Sequence, residues 1–234
     1  MTRDARRPAK KPRSKRGQEP LTPLARSLQH AEKGRATPLD LFRLASKKWR
    51  RGERLDIGQL ASELNVGRAT VFRWIGSREQ LYGEVLSQAY AEQREHILKI
   101  TPGKGIERLV HVARRNLNAL VEATPLHKFI EHDPEFAIRV LTSKSSPVQA
   151  RTIALERDLL LQVLEQDKIK PLLSIDALAY IIVRIGEAFL YAKVISGTQP
   201  EIEMAVSAIR VLASADESTT SKARNARRLA RAAK

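Results

Sequence analysis

The 234-residue chain contains no cysteine and few aromatic residues, with two tryptophans, four tyrosines and five phenylalanines. The absence of cysteine excludes disulfides, thiol catalysis and every cysteine-ligated zinc or iron–sulfur site, zinc fingers included. No apolar run reaches the roughly 18 residues of a membrane span, and the basic N-terminus lacks the apolar stretch of a secretory signal. We therefore expect a cytoplasmic protein with no membrane contact.

Period-two alternation bounded by turns, the pattern of β-strands, is also missing. Apolar residues between the two polar ends recur instead at the 3.6-residue period of α-helices, so the sequence predicts an all-α fold. Prolines and Ser, Thr or Asp caps set the predicted boundaries, with Thr37 and Pro38 opening one helix and Ser77 capping another. Helices are predicted at residues 24–33, 38–51, 57–64, 68–75, 78–100, 106–123, 125–131, 134–142, 147–166, 175–195 and 200–213.

The positive charge is concentrated in three parts of the chain. Counting Lys and Arg against Asp and Glu, the net charge is +8 over residues 1–37, +5 over 38–78, −3 over 79–217 and +6 over 218–234. This distribution indicates one end that binds a polyanion and a body with another task. Residues 1–36 and 216–234 are expected to be disordered basic arms, which either touch DNA phosphates or are simply solvated.

Residues 57–81, IGQLASELNVGRATVFRWIGSREQL, have the spacing of a helix-turn-helix. Its two helices must cross closely, which needs a small residue in the first helix and a turn residue that tolerates positive φ. Ala61 and Asn65 stand at these positions. On the second helix, Arg68 and Arg73 are placed to donate two hydrogen bonds to guanine. The alternative interpretation is a helical hairpin with a solvated basic face.

The segment LASELNVGRATVFRWIGSREQLYGEVL (residues 60–86), followed by a long helical remainder, resembles the TetR family of transcriptional repressors. The resemblance implies a three-helix DNA-binding domain at residues 37–82 and a helical effector-binding and dimerisation domain at residues 83–215. The DNA-facing residues that it implies are Arg68, Ala69, Thr70, Phe72, Arg73 and Trp74, with Arg78 at a phosphate-binding position.

Three residues depart from the usual pattern of that family. Phe72 replaces a tyrosine and loses its hydroxyl contact to phosphate, Trp74 stands where histidine is common, and Gly67 replaces a Ser or Thr cap. We therefore expect this segment to depend more on its arginines and Thr70 than its relatives do.

The phrases TVFRWIGSREQL, EFAIRVLTSKSSPVQ and LAYIIVRIGEAFLYA narrow the resemblance to the QsdR-type branch, whose regulators are associated with degradation of quorum-sensing lactones. The resemblance implies a repressor that a small, lactone-type effector releases from DNA. It also implies a homodimer paired through residues 175–195 and 200–213, because two recognition helices related by a two-fold axis can read a palindromic operator. Polar residues in the body that could contact the effector are His111, Arg115, Asn118, His127, His132, Arg184, Glu187 and Tyr191.

Other functions have weaker support in the sequence. A metal site at His127, Glu131, His132 and Asp133 is disfavoured because Pro134 interrupts the helix, and we expect no metal or other cofactor. Residues 102–105 lack the frame of a P-loop, and no catalytic motif is present. The alternatives to a regulator are a nucleoid-type protein that coats DNA without sequence preference and, with less support, a helical enzyme.

Overall fold

The computed structural model describes residues 36–195, 197 and 201–215. Within these residues the chain forms ten α-helices and no strand, which confirms the predicted all-α class. The helices are α1 (Pro38–Arg50), α2 (Ile57–Glu63), α3 (Arg68–Ile75), α4 (Arg78–Ile100), α5 (Gly105–Glu122), α6 (Thr124–His132), α7 (Pro134–Thr142), α8 (Val148–Asp167), α9 (Ile175–Ile195) and α10 (Ile202–Ser214). The helix predicted at 24–33 and nearly all of both basic arms lie outside the described residues.

Local capping chemistry explains where the helices begin. The Thr37 hydroxyl accepts a hydrogen bond from the Asp40 N–H at 3.2 Å, and the Asp40 carboxylate accepts one from the Thr37 N–H at 3.0 Å. Hydrogen bonds from the hydroxyl and the N–H of Thr37 hold the pKa of Asp40 below its usual value. Ser77 caps α4 in the same way, accepting from the Gln80 N–H at 3.1 Å. The predicted ends of these ten helices lie within two residues of the observed ones.

Two hydrophobic cores share the long helix α4. The first core joins α1, α2 and α3 to the N-terminal half of α4, to α6 and α7, and to two residues near the end of α9. The second core joins the C-terminal half of α4 to α5, α8, α9 and α10. Because α4 runs unbroken through residues 82 and 83 and the first core extends into α6 and α7, the domain division at that point stays a prediction. Within the described part of the chain, the helices are too short or too polar to cross a membrane.

Candidate functional site

The α2–α3 unit has the close crossing that the sequence predicts. Ala61 is 2% exposed where the two helices meet, and its carbonyl accepts a hydrogen bond from the Val66 N–H at 2.9 Å. Asn65 adopts φ 51°, the left-handed conformation expected for the turn. Val71 and Ile75 on the inner face of α3 are fully buried. The buried face of α3 is therefore fixed against α1 and α2, and its outer face has one orientation.

The outer face of α3 carries the residues that were predicted to read DNA. Arg68, Ala69, Phe72 and Arg73 are exposed at positions i, i+1, i+4 and i+5, which share one side of a helix. Phe72 is 40% exposed, so its ring presents apolar surface on this side of α3. Gly67 precedes α3 without any side-chain cap, as its identity predicts.

Thr70 and Trp74 are only half-buried, and Trp74 packs partly against the first core. Arg78 lies in a different environment from the one that its sequence position implies. Its guanidinium carbon is 4.1 Å from the ring centre of Phe136 on α7 and 5.4 Å from that of Tyr82. The rings restrict the position of the guanidinium, while its in-plane N–H groups have no acceptor among the described residues and could still bind a phosphate.

An aromatic cluster of Trp49, Tyr82, Phe129 and Phe136 connects the helix-turn-helix to the body. Tyr82 stacks on Phe129 with ring centres 4.8 Å apart, and Trp49 meets the edge of Phe129 at 5.6 Å. The Tyr82 hydroxyl also accepts a hydrogen bond from the buried Leu55 N–H at 2.9 Å. These contacts join α1, α4, α6 and α7. A shift of α6 or α7 would therefore also displace α1 and the start of α4.

Gly83 lets α4 pass close to the segment before α8. A Cβ atom at this position would lie 2.6 Å from the Ser146 Cβ and closer still to the Pro147 Cδ. Gly83→Ala should therefore lower the free energy of unfolding, because overpacking costs about 1–3 kcal/mol and exceeds the roughly 1 kcal/mol gained in helix propensity. Chemical denaturation of the purified protein measures the change.

Gly186 offers a matched control in the middle of α9. A Cβ there would meet the Leu120 Cδ1 at 3.8 Å, an ordinary contact. Gly186→Ala should therefore stabilise the protein by about 0.5–1 kcal/mol. Equal shifts of the same sign in both variants would contradict the close approach at Gly83.

A cavity of about 120 Å³ lies in the body, between α4, α5, α6, α7, α8, α9 and α10. Most of its lining is Leu, Val, Ile and Ala. The polar residues that line it are Tyr90, Asn116, Gln149, Thr152, Glu156 and Glu187. A largely apolar cavity with a few polar groups is typical of small-molecule sites.

The two carboxylates in the cavity wall are both paired with arginine. Glu156 receives hydrogen bonds from Arg94 at 2.7 and 3.3 Å, and both side chains are almost fully buried. Burial, together with the Glu156 carboxylate, raises the pKa of the Tyr90 hydroxyl, which lies 3.4 Å from that carboxylate and stays protonated as a donor. Glu187 is 2.8 Å from Arg184 and accepts a hydrogen bond from Gln149. Burial raises the pKa of Glu187.

Of the eight polar residues that were predicted to contact an effector, Glu187 alone is among the described residues lining this cavity. Arg184 contacts Glu187 and Gln149, and Tyr191 is buried close by, where burial raises the pKa of its hydroxyl. His111 is exposed, and Arg115 and Asn118 line a separate shallow groove.

The remaining two predicted residues stabilise the helices around α6. The His127 Nε2 is 3.0 Å from the carbonyl oxygens of Leu120 and Val121, at the C-terminal end of α5. The His132 Nε2 is 3.2 Å from Arg54, at the boundary between the helix-turn-helix and the body.

The sequence-based candidates did not include five polar residues that line the cavity, Tyr90, Asn116, Gln149, Thr152 and Glu156. For two of these five, the sequence does contain a pattern that indicates burial. Asn116 continues the apolar stripe of α5, four residues after Val112, and Glu156 lies three residues before Leu159 on the buried side of α8. A polar residue in register with an apolar stripe is costly to bury without a partner, and such a residue marks either a buried network or a cavity.

The comparisons with known proteins agree with this arrangement. The family description "Tetracyclin repressor-like, C-terminal domain" matches residues 104–214, which contain α5 to α10. No curated protein matches the chain.

Among solved structures, the chain is similar to the R. erythropolis transcriptional repressor QsdR, from the TetR family. Sequence identity is 26% and the TM-score is 0.68, covering 76% of this chain and 94% of that one. The structural match extends beyond residues 104–214. The matched protein is also of the QsdR-type branch, which the sequence resembles. The helix order of the described residues, the tetracyclin-repressor-like C-terminal domain and the likeness to QsdR together support membership of this chain in the TetR family of transcriptional regulators.

Proposed function

We propose that this regulator represses transcription by binding a palindromic DNA operator as a homodimer, and that a small molecule in the cavity releases it. The exposed face of α3 is the observation that carries the proposal. The DNA-binding residues that we propose are Arg68, Ala69, Thr70, Phe72, Arg73 and Trp74, with Arg78 as a phosphate contact. Regulators of this family are generally not enzymes, and we propose no catalytic activity.

Charge supports the DNA-binding part of the proposal. The segment 38–78 carries a net charge of +5, whereas residues 79–217 carry −3. Arg73 has no ion-pair partner within the described residues, so its guanidinium is available to a base or a phosphate. We also propose a cytoplasmic location, because the regulator has to reach its DNA operator.

Exposed apolar side chains on the last two helices support the homodimer. Tyr180 on α9 is 50% exposed, and Met204 and Val211 on α10 are 64% and 66% exposed. Met204 and Val211 are seven residues apart and share one face of α10. Covering these side chains with the same face of a second copy would remove apolar surface from water and pair two α3 helices for a palindrome.

The cavity and its connection to α4 support the proposal that a small molecule in the cavity releases the regulator from DNA. Leu86 and Tyr90 of α4 line the cavity, while the first turn of α4 carries Arg78 and directly follows α3. A ligand that shifts α4 would therefore move the recognition helix. A lactone-type effector, implied by the resemblance to the QsdR-type branch, remains the candidate.

Arg73→Ala tests the DNA-binding role. We expect binding to a palindromic fragment from upstream of the regulator's own gene to weaken by about 1–3 kcal/mol, since a bidentate base contact is worth that much. Fluorescence anisotropy at one fixed salt concentration measures the affinity, because salt alone shifts it strongly. Arg157→Ala, at an exposed arginine paired with Asp176 in the body, is the matched control and should leave the affinity unchanged.

A chain shortened to residues 36–217 separates this proposal from non-specific coating of DNA by the basic arms. It should keep its preference for the palindrome over unrelated DNA of equal length. Loss of all DNA binding on removal of the arms would instead favour the coating function.

A further inference from the structure

The charges around the cavity disfavour the binding of an anionic ligand. Among the described residues that line it there is no lysine, arginine or histidine. The nearby guanidinium groups already pair with carboxylates: Arg94 binds Glu156 and the Leu155 carbonyl, and Arg184 binds Glu187 and Gln149, although the Arg184 Nε is buried without a hydrogen bond to any described residue. A carboxylate entering the cavity would lose its hydration, meet two glutamates in the wall and find no free cation.

A cation would also bind poorly. The carboxylates of Glu156 and Glu187 are already compensated by Arg94 and Arg184, so an incoming ammonium group would compete with existing ion pairs. Most of the remaining lining is aliphatic and offers no replacement for its hydration. The cavity therefore favours a ligand without net charge.

One polar atom in the wall lacks a partner. Asn116 is 8% exposed and lines the cavity, and its Oδ1 is buried without a hydrogen bond to any described residue. Leaving a buried polar group unpaired is energetically costly. A ligand that hydrogen-bonds the Asn116 amide would recover part of this cost, so Asn116 adds a preference for a polar group on the ligand to the preference for neutrality.

We propose that the cavity selects an uncharged, mostly apolar molecule that carries one polar group able to hydrogen-bond the Asn116 side-chain amide, and that it rejects carboxylates and amines. A cavity of about 150 Å³ accommodates benzene, which has six non-hydrogen atoms, so the 120 Å³ here suits a ligand of about five or six non-hydrogen atoms. The inference rests on the proposed role of the cavity as the effector site, and it names Asn116 as the residue that determines specificity.

Four probes with four carbon atoms each test the selectivity with the full-length protein at pH 7: 1-butanol, butanamide, butanoate and butylamine. Calorimetric titration and the shift of the thermal unfolding midpoint measure binding without DNA. We expect 1-butanol and butanamide to bind and to raise the midpoint with concentration. Butanoate and butylamine should bind at least tenfold more weakly, because each must be buried as a charged group. Binding of either charged probe as tight as that of 1-butanol would overturn the proposal.

Asn116→Leu tests the hydrogen bond. Affinity for 1-butanol should fall by about 2- to 10-fold, the equivalent of one neutral hydrogen bond, while affinity for benzene should not fall. Asn118→Leu, two residues along α5 on its exposed side, is the matched control and should change neither affinity. A purely structural role for Asn116 would lower both affinities together, and that result would contradict the assignment.

Measuring DNA binding separately distinguishes this inference from the proposed function. If no probe binds while DNA binding is intact, the ligand class is wrong and the DNA-binding function stands. If the neutral probes bind selectively but leave DNA binding unchanged, the selectivity of the cavity is confirmed and its role as the effector site fails.

Discussion

Glu156→Gln is expected to lower the free energy of unfolding by about 3–5 kcal/mol, because it leaves the Arg94 guanidinium buried without a counter-charge. The Arg94 side chain is 2% exposed and that of Glu156 8% exposed, and Arg94 bonds both carboxylate oxygens. Glutamine has nearly the same shape as glutamate. The loss of stability therefore measures the effect of removing the charge and not a packing defect. Urea denaturation followed by helical circular dichroism measures it.

The paired replacement Arg94→Met with Glu156→Leu separates the cost of an orphaned charge from the value of the pair. Replacing a buried ion pair by apolar residues of similar volume is often neutral or stabilising, so the double variant should be much more stable than Glu156→Gln. Asp176→Asn, which breaks the exposed pair with Arg157, is the surface control and should have little effect. If Glu156→Gln were as mild as Asp176→Asn, Arg94 would have to reach water.

The helices of this chain could be predicted from the sequence because their signals are local. Thr37 and Ser77 form cap hydrogen bonds with residues three positions away, and Asn65 adopts the turn conformation that its side chain tolerates. Ala61 is identified by its size at a fixed spacing in the motif. None of these assignments requires knowledge of distant contacts.

The cavity could not be predicted in the same way. The sequence-based candidates were polar residues selected by type, and several of them, such as His111 and Asn118, lie on the outer side of α5. Asn116 is separated from Asn118 by two positions on the same helix, yet it faces the opposite environment because α5 packs between α8 and α10. The side of a helix that borders a cavity is decided by the packing of other helices.

Arg78 illustrates the same limit in the helix-turn-helix. Its sequence context indicates a phosphate contact, and it does follow the recognition helix. Its guanidinium nevertheless lies on Phe136, which is 58 positions further along the chain. A contact of this kind depends on where α7 packs, and no local sequence pattern predicts it.

Phe129→Ala should lower the free energy of unfolding by about 3–5 kcal/mol, the usual cost of deleting a buried aromatic side chain. Phe129 is 8% exposed and contacts three other rings, those of Trp49, Tyr82 and Phe136. Its removal leaves a cavity where α6 meets α1 and α4, and the neighbouring rings cannot close it without moving their helices. Denaturation monitored by circular dichroism gives the loss in stability.

Phe72→Ala is the matched control, since it deletes the same side chain from the exposed face of α3. It should change stability far less than Phe129→Ala, yet weaken operator binding if Phe72 contacts DNA. Phe129→Ala should show the opposite combination of effects, a large loss of stability with operator binding retained, because Phe129 lies at the boundary between the helix-turn-helix and the body. The folded Phe129→Ala protein should also respond less to a ligand in the cavity, since the aromatic cluster connects α6 and α7 to the start of α4. An unchanged ligand response in Phe129→Ala would mean that the signal reaches α3 through α4 alone.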